Sequence, residues 1–276
     1  MAILEDGQTS SVFLRMEVAQ TLAATKAEDA YDLFVRLALD AREHSWLREL
    51  LTADLAVWNE RLSDDLLLTL LADPEPAVCA ATLSVWRELP SQSIPIERIV
   101  PYCTHEQKYI REAAIKTLLA TEQRAPVDPI LSALNDPEPE VRAAASHACL
   151  SLAEWFPDRI PLERLLAALH DEHPPVREDA LDALGKIPLR IPVEPVIAAL
   201  SDPVPYVRCA AIETLGMMGE RVPASIYPTL RELSGADDSA HVRQRATRTL
   251  LLLHGMPLPP LRMPVIEITS EEDLRE

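Results

Sequence analysis

Aromatic residues are few in this chain. Three Phe, five Tyr and four Trp make up 4% of its 276 residues. The core must therefore come from Leu and Ala, which favours helices packed by small and branched aliphatic side chains. A lesion-gripping nucleic-acid surface, which needs aromatic contacts, is disfavoured by the same scarcity. Glycine is scarce as well, at six, and no GxSxG, Walker loop or GxGxxG occurs. Basic residues are in deficit, 26 against 44 acidic ones, for a net charge of −18. Such a surface repels phosphate backbones and anionic lipid. The expected partner is a protein with a basic or mixed surface, not nucleic acid or membrane.

The four cysteines, Cys79, Cys103, Cys149 and Cys209, lie far apart and form no CxxC. Reduced thiols in a cytoplasmic protein are the simplest account. The opening MAILEDGQTSS lacks a basic n-region and a long apolar stretch, so no signal peptide is expected. No run of 18 apolar residues occurs, so no membrane span is expected either. Proline, by contrast, is abundant at 24 and falls at regular intervals. That pattern indicates many short helices joined by stiff turns.

The regularity is an internal repeat. Its clearest unit is Leu200–Glu220, LSDPVPYVRCAAIETLGMMGE. Aligning on Val207-Arg208 gives Leu14-Arg15, Leu47-Arg48, Val78-Cys79, Ile110-Arg111, Val141-Arg142, Val176-Arg177 and Val242-Arg243 as equivalents. The anchors are 33, 31, 32, 31, 35, 31 and 35 residues apart. Four residues after each stand Val18, Leu51, Thr82, Ala114, Ala145, Ala180, Ala211 and Ala246. Eight after stand Leu22, Leu55, Trp86, Leu118, Cys149, Leu184, Leu215 and Leu250. Offsets of 0, 4 and 8 share one face of a helix.

Five residues before the anchor recur Asp73, Asp136, Asp171, Asp202 and Asp237, with His105 breaking the set. The DPEP, DPEP and DPVP runs at these turns are expected to start the second helix. Asp would cap its free N–H groups, and Pro is tolerated in a first turn. Each turn follows a short first helix, expected at Asp65–Ala72, Pro129–Leu134, Leu162–Leu169, Glu194–Leu200 and Ile226–Leu233. Such helices are too short to stand alone and need their neighbours. The layout is a flexible N-terminus (1–10), a repeat array (11–255) and an extended, Pro-rich, acidic tail (256–276). The array opens in mid-repeat at Leu14–Ala23; either residues 1–11 form an irregular cap or the chain was cut from something longer.

The LxDPxPxVRxAAxxxLG run at Leu200–Gly216 resembles the HEAT repeat, and more narrowly the phycobilisome-lyase-type HEAT-like repeat. Leu134–Leu150 and Leu169–Gly185 resemble it nearly as well. The resemblance implies an all-α, right-handed α-α superhelix of about seven and a half helix pairs. It also implies that the turn Asp and second-helix Arg side chains link successive repeats as a ladder. That set is Asp73, Asp136, Asp171, Asp202 and Asp237 with Arg111, Arg142, Arg177, Arg208 and Arg243; Cys79 and His105 should interrupt it at two points. The second helices are implied to line a concave face. Such repeats serve scaffolds, regulatory subunits, chromophore lyases and a few enzymes.

Candidate chemistry is thin. The Arg set could bind anions, but an Asp recurs in step with it, so a structural use is preferred. His170-Asp171-Glu172-His173 has metal-ligand residue types yet falls on a turn where Asp171 has a structural task. His105-Glu106 resembles the His-Glu pairs of HEAT-repeat di-iron hydroxylases, but the corresponding positions read IREA and VRED, without His. No metal, cofactor or catalytic residue is expected. The informative positions lie two and six residues after each anchor. They include Glu112, Lys116, His147, Glu178, Asp182, Glu213 and Arg248, and predict a partner-binding groove with an acidic middle and a basic C-terminal end. In the tail, Val265, Ile266 and Ile268 of VIEIT could pair as a strand with a partner. The resulting expectation is a non-catalytic protein-interaction scaffold, adaptor or regulatory subunit. The alternative is a chromophore-lyase-type enzyme acting with a partner, and a nucleic-acid binder is third.

Overall fold

The structure is a computed structural model that describes residues 1–5 and 11–254. Every regular element among them is helical. They run α1 (Ala2–Glu5), α2 (Val12–Ala24), α3 (Ala30–Leu39), α4 (Ser45–Asp54), α5 (Asp64–Leu71), α6 (Pro76–Glu88), α7 (Ile96–Ile99) and α8 (Lys108–Leu119). Then come α9 (Val127–Ser132), α10 (Pro139–Trp155), α11 (Leu162–Ala168), α12 (Pro174–Lys186), α13 (Val193–Ala198), α14 (Pro205–Met218), α15 (Tyr227–Ala236) and α16 (Ala240–Leu253). The chain falls into two compact units, Met1–Ile191 with α1 to α12, and Pro192 onward with α13 to α16. In the first, each second helix packs on the next, in the order α2, α4, α6, α8, α10, α12. In the second, α14 packs on α16. Both units are HEAT-like stacks of helix pairs.

The offset pattern explains the packing. In α4, α6, α8, α10, α12 and α14 the residues at offsets 0, 4 and 8 are all buried. Burying a Val, Leu or Ile there contributes about 1.5–3 kcal/mol, while Ala114, Ala145, Ala180 and Ala211 let adjacent helices approach. The pattern fails in α2, where Leu14 is exposed and Val18 and Leu22 are half-buried. Its buried residues are instead Arg15, Ala19 and Ala23. Against this end sits α1, whose Leu4 is fully buried and whose Leu4 carbonyl accepts from Arg15 Nε and Nη2 at 2.9 and 2.7 Å.

The turn aspartates do not cap their helices, contrary to the expectation. The N-cap positions are Glu75, Glu138, His173, Val204 and Ser239, and none makes a side-chain cap. Asp lies two residues earlier and accepts from the N-cap N–H. The distances are 2.9 Å from Asp73, 3.0 Å from Asp136, 2.8 Å from Asp171, and 2.9 Å from Asp202 and Asp237. This is an Asx turn, which sets the entry angle of the helix. Proline at the first helical position is the second one of the DPEP, DPEP and DPVP runs, Pro76, Pro139 and Pro205, and the first of the Pro174-Pro175 pair. Pro74, Pro137 and Pro203 stay in the turn.

The first helices match the expected spans to within a few residues. Two of them, α9 and α13, close in a 3-10 turn, at Ala133–Asn135 and Ala199–Ser201.

Candidate functional site

The second-helix arginines face neighbouring turns. Arg111 donates from Nε and Nη2 to Asp136 at 2.6 and 2.7 Å, and from Nη1 to the His105 and Glu106 carbonyls at 2.8 and 2.9 Å. Arg142 grips Asp171 at 2.7 and 3.0 Å, and Arg208 grips Asp237 at 2.9 and 2.8 Å, each with its own turn carbonyls at Nη1. Arg48 pairs with Asp73. Arg177 holds the Asp171 and Glu172 carbonyls, and Arg243 those of Asp237 and Asp238. At the first repeat Glu43 takes the carboxylate's place, accepting from Arg15 at 2.8 and 2.9 Å.

Burial would push Asp136, Asp171 and Asp237 up, but the arginine and the N-cap N–H outweigh it and hold all three below the ordinary carboxylate value. These side chains are occupied in joining repeat to repeat. Asp171 and Glu172 both bind Arg142, so the His170–His173 run is a turn. Among the described residues no group of three His, Cys, Asp or Glu is placed to hold a metal.

The two expected breaks in the ladder are the two halves of one rung. Each complete rung joins an Arg to the turn Asp of the next repeat, 25 or 29 residues on. Cys79 would meet residue 105, where His stands. Between them lies Tyr102, three residues before the turn position. Other repeats carry Leu70, Ala133, Ala168, Ala199 and Ser234 there. The Tyr102 hydroxyl donates to the Leu71 carbonyl at 3.1 Å, and its ring stacks on His105 at 6.1 Å and 11°. His105 keeps the Asx-like function, its Nδ1 accepting from Gln107 N at 3.1 Å. Burial, reinforced by Asp73, pushes the Cys79 thiol up to about 11. This rung has no Arg–Asp pair.

The positions two and six residues after each anchor are all at least partly accessible from Ala80 to Arg248. On α8, Glu112 pairs with Lys116 one turn on. On α10, exposed His147 lies 3.7 Å from Asp179 of α12, which also accepts from Ser146 at 3.0 Å. Burial pushes Asp179 up, against the pull of Ser146 and His147. Glu178 and Asp182 are half-buried on α12. In the second unit Glu213 pairs with Arg245 of α16, and Arg248 is exposed. Val265, Ile266 and Ile268 lie outside the described residues.

A depression of about 530 Å³ opens on the second helices of the first unit. Its floor is Ala80, Ala81 and Ser84 of α6; Trp46 and Glu49 of α4 and Tyr109 and Glu112 of α8 stand at its sides. Trp46 is 53% and Tyr109 41% exposed. The sequence reading missed Trp46, Glu49 and Tyr109, and with them Asp179 and Arg245. A signal was present: one residue before the anchor stand Phe13, Trp46, Tyr109 and Tyr206, four of the chain's twelve aromatics, all exposed.

Cys79, Cys103 and Cys149 are buried and Cys209 is half-buried. Burial pushes Cys103 up to about 11 and Cys149 up to about 12, so both are protonated at neutral pH.

Among solved structures, YibA of E. coli superposes with a TM-score of 0.68 at 16% identity, over 90% of this chain and 91% of that one. An archaeal HEAT-like repeat protein from Thermococcus onnurineus NA1 gives 0.56 at 11% identity, over 82% and 97%. The karyopherin Kap121p, in a structure bound to the SUMO protease Ulp1p, gives 0.58 at 13% identity, over 84% of this chain and 30% of that one. These likenesses concern the fold. No curated protein matches the chain. The HEAT-repeat profile matches residues 63–149, 127–191 and 162–251; the narrower phycobilisome-lyase-type resemblance finds no counterpart in these matches. With the profile spanning most of the array, the chain belongs to the HEAT-repeat family.

Proposed function

We propose that the protein is a non-catalytic interaction scaffold that receives a basic or mixed protein surface along the exposed line of its second helices. One observation carries this reading. Arg48, Arg111, Arg142 and Arg208 are buried in rungs with the turn Asp of the following repeat, so the residues that vary from repeat to repeat are the more accessible ones. Those residues are Glu112, Lys116, His147, Glu178, Asp182, Glu213 and Arg248. Kap121p, of like fold, is seen bound to a protein partner, which supports a binding use of such a surface. The protonated, buried thiols suit a reducing compartment such as the cytoplasm. No observation favours a chromophore lyase.

The test is photo-crosslinking in the native cell from residues placed at positions 147 and 178, with outward position 163 on α11 as control. The reading expects a partner captured from 147 and 178 alone, and capture lost when Glu178, Asp182 and Glu213 become Lys. Equal capture from position 163, or capture indifferent to the charge reversal, would overturn it.

A further inference from the structure

The depression on α4, α6 and α8 has a chemistry that the scaffold reading does not use. Along these helices the lining changes character. At the N-terminal side stand Trp46 and Tyr109, one residue before their anchors. Two residues after the anchors come Glu49 and Glu112, with Ala80 between them on α6. Six to nine residues after come Lys116 and Arg87. From Tyr109 to Lys116 the helix rises about 10 Å, so the two ends are separated. Lys116 pairs with Glu112, and Arg87 stays with it at the far end; at the near end the charged groups are Glu49 and, beyond the N-terminal rim, Glu75.

Both carboxylates act on Tyr109. Its hydroxyl is pushed up by burial, then by the charges of Glu75 and Glu49. Glu49 is exposed, and neither carboxylate makes an ion pair among those described. Trp46 is braced from two directions, with Phe13 at 6.1 Å and His44 at 5.1 Å between ring centroids. Small side chains on α6 give the slot its floor. Adjacent helices lie about 8–10 Å apart, so Trp46 and Tyr109 reach over α6 from the two helices beside it.

We propose that this slot takes a lysine or arginine side chain from a partner protein, with its alkyl stem on Ala80 and Ala81 and its cationic head between the Trp46 and Tyr109 rings and the Glu49 and Glu75 carboxylates. A cation over an indole or phenol face is attracted by the ring quadrupole, and the carboxylates add charge pairing that a neutral side chain would forgo. The helix N-termini at this end disfavour a cation. Glu75 offsets them, since it occupies the N-cap of α6. The inference rests on the scaffold reading and deepens it by naming the side chain that the surface selects.

The experiment needs no native partner. Trp46 is the exposed member of the four tryptophans; Trp58 and Trp86 are buried and Trp155 is half-buried. Its indole N–H resonance therefore reports on the slot. The full chain is titrated at physiological salt with two blocked pentapeptides, Ala-Ala-Arg-Ala-Ala and the same peptide with citrulline, the neutral isostere, in place of arginine. The proposal expects a saturable shift of the Trp46 indole with the arginine peptide and at least tenfold weaker binding of the citrulline one. Glu49→Gln should weaken the arginine peptide several-fold. Tyr109→Ala should do so while the helical circular dichroism is unchanged, and Asp64→Asn, an equal charge change on outer helix α5, should have no effect.

Equal binding of the two peptides would overturn the proposal, as would a response that Glu49→Gln and Asp64→Asn reduce alike. If crosslinked partner is still captured from positions 147 and 178 after such a result, the slot is wrong and the scaffold reading stands. If neither binds, both fail.

Discussion

Rebuilding the rung at residues 79 and 105 in the Arg–Asp form of its neighbours tests how the repeats are joined. The perturbation is Cys79→Arg with His105→Asp, in a Tyr102→Ala background that clears the space the ring occupies. By the geometry of Arg111 and Arg142, the new guanidinium would donate from Nη1 to the carbonyls of residues 73 and 74, six and five positions back. Nε and Nη2 would then meet the new carboxylate. Cys79→Arg alone buries a charge with no anion and should destabilise by about 3–5 kcal/mol. His105→Asp alone keeps the turn to Gln107 N but leaves a carboxylate without its cation, at about 1–3 kcal/mol. Together they should recover about 2–3 kcal/mol of those losses as coupling. Net stability should stay below that of the Tyr102→Ala parent, by about 1–6 kcal/mol, because desolvation offsets much of a buried pair's attraction. Repeat arrays need not unfold in one step, so the assay is native-state hydrogen exchange of amides in α6 and α8, run as a double-mutant cycle. A coupling below about 0.5 kcal/mol would refute the assignment of residues 79 and 105 to one rung.

Other outcomes follow from the same side chains. Asp136→Ala should destabilise the first unit by about 3–5 kcal/mol by leaving Arg111 buried and unpaired, read by urea titration. Because Asp136 and Asp171 titrate below their ordinary value, their contribution is present at neutral pH and lost as pH falls below about 4. Acid unfolding of the first unit should start there. Asp179 has the opposite sign: its carboxyl is raised by burial, so its contribution declines as pH rises through the raised value. Asp179→Asn should therefore hold or raise the melting temperature at pH 7 and flatten its pH dependence above about pH 4, the ordinary carboxylate value. A loss of stability at pH 7 would show that the Ser146 and His147 contacts outweigh the burial. Leu4→Ala should cost about 2–5 kcal/mol and loosen α2, as seen by exchange of its amides, because α1 packs on α2 with Leu4 fully buried.

Much of the fold was legible because it repeats. Eight copies of one anchor average out local noise, so the register from Leu47 to Leu215 matches the buried face. The misreadings have local causes. The Asx turn places Asp two residues outside the helix, a difference that Asp-Pro alone does not reveal. At Leu14 the repeat pattern carries on, but the side chain is exposed and α2 buries Arg15, Ala19 and Ala23 instead. The site was read less well. Attention to offsets two and six found Glu112 and Lys116, yet passed over the position before the anchor, where Trp46 and Tyr109 stand. In one helix those residues look like isolated aromatics at a helix start.

By itself the sequence determined the helix pairs, their register, and the recurrence of Arg and Asp, because these follow from local periodicity and turn chemistry. Tertiary structure decided which side chains meet. An Arg reaches the Asp of the following repeat, 25 or 29 residues away, so Cys79 and His105 belong to one rung. Trp46 and Tyr109, on helices two repeats apart, border one slot because α6 between them is small-faced. Such meetings depend on how repeats stack, and stacking is set by the summed packing of whole helices, which no single repeat encodes.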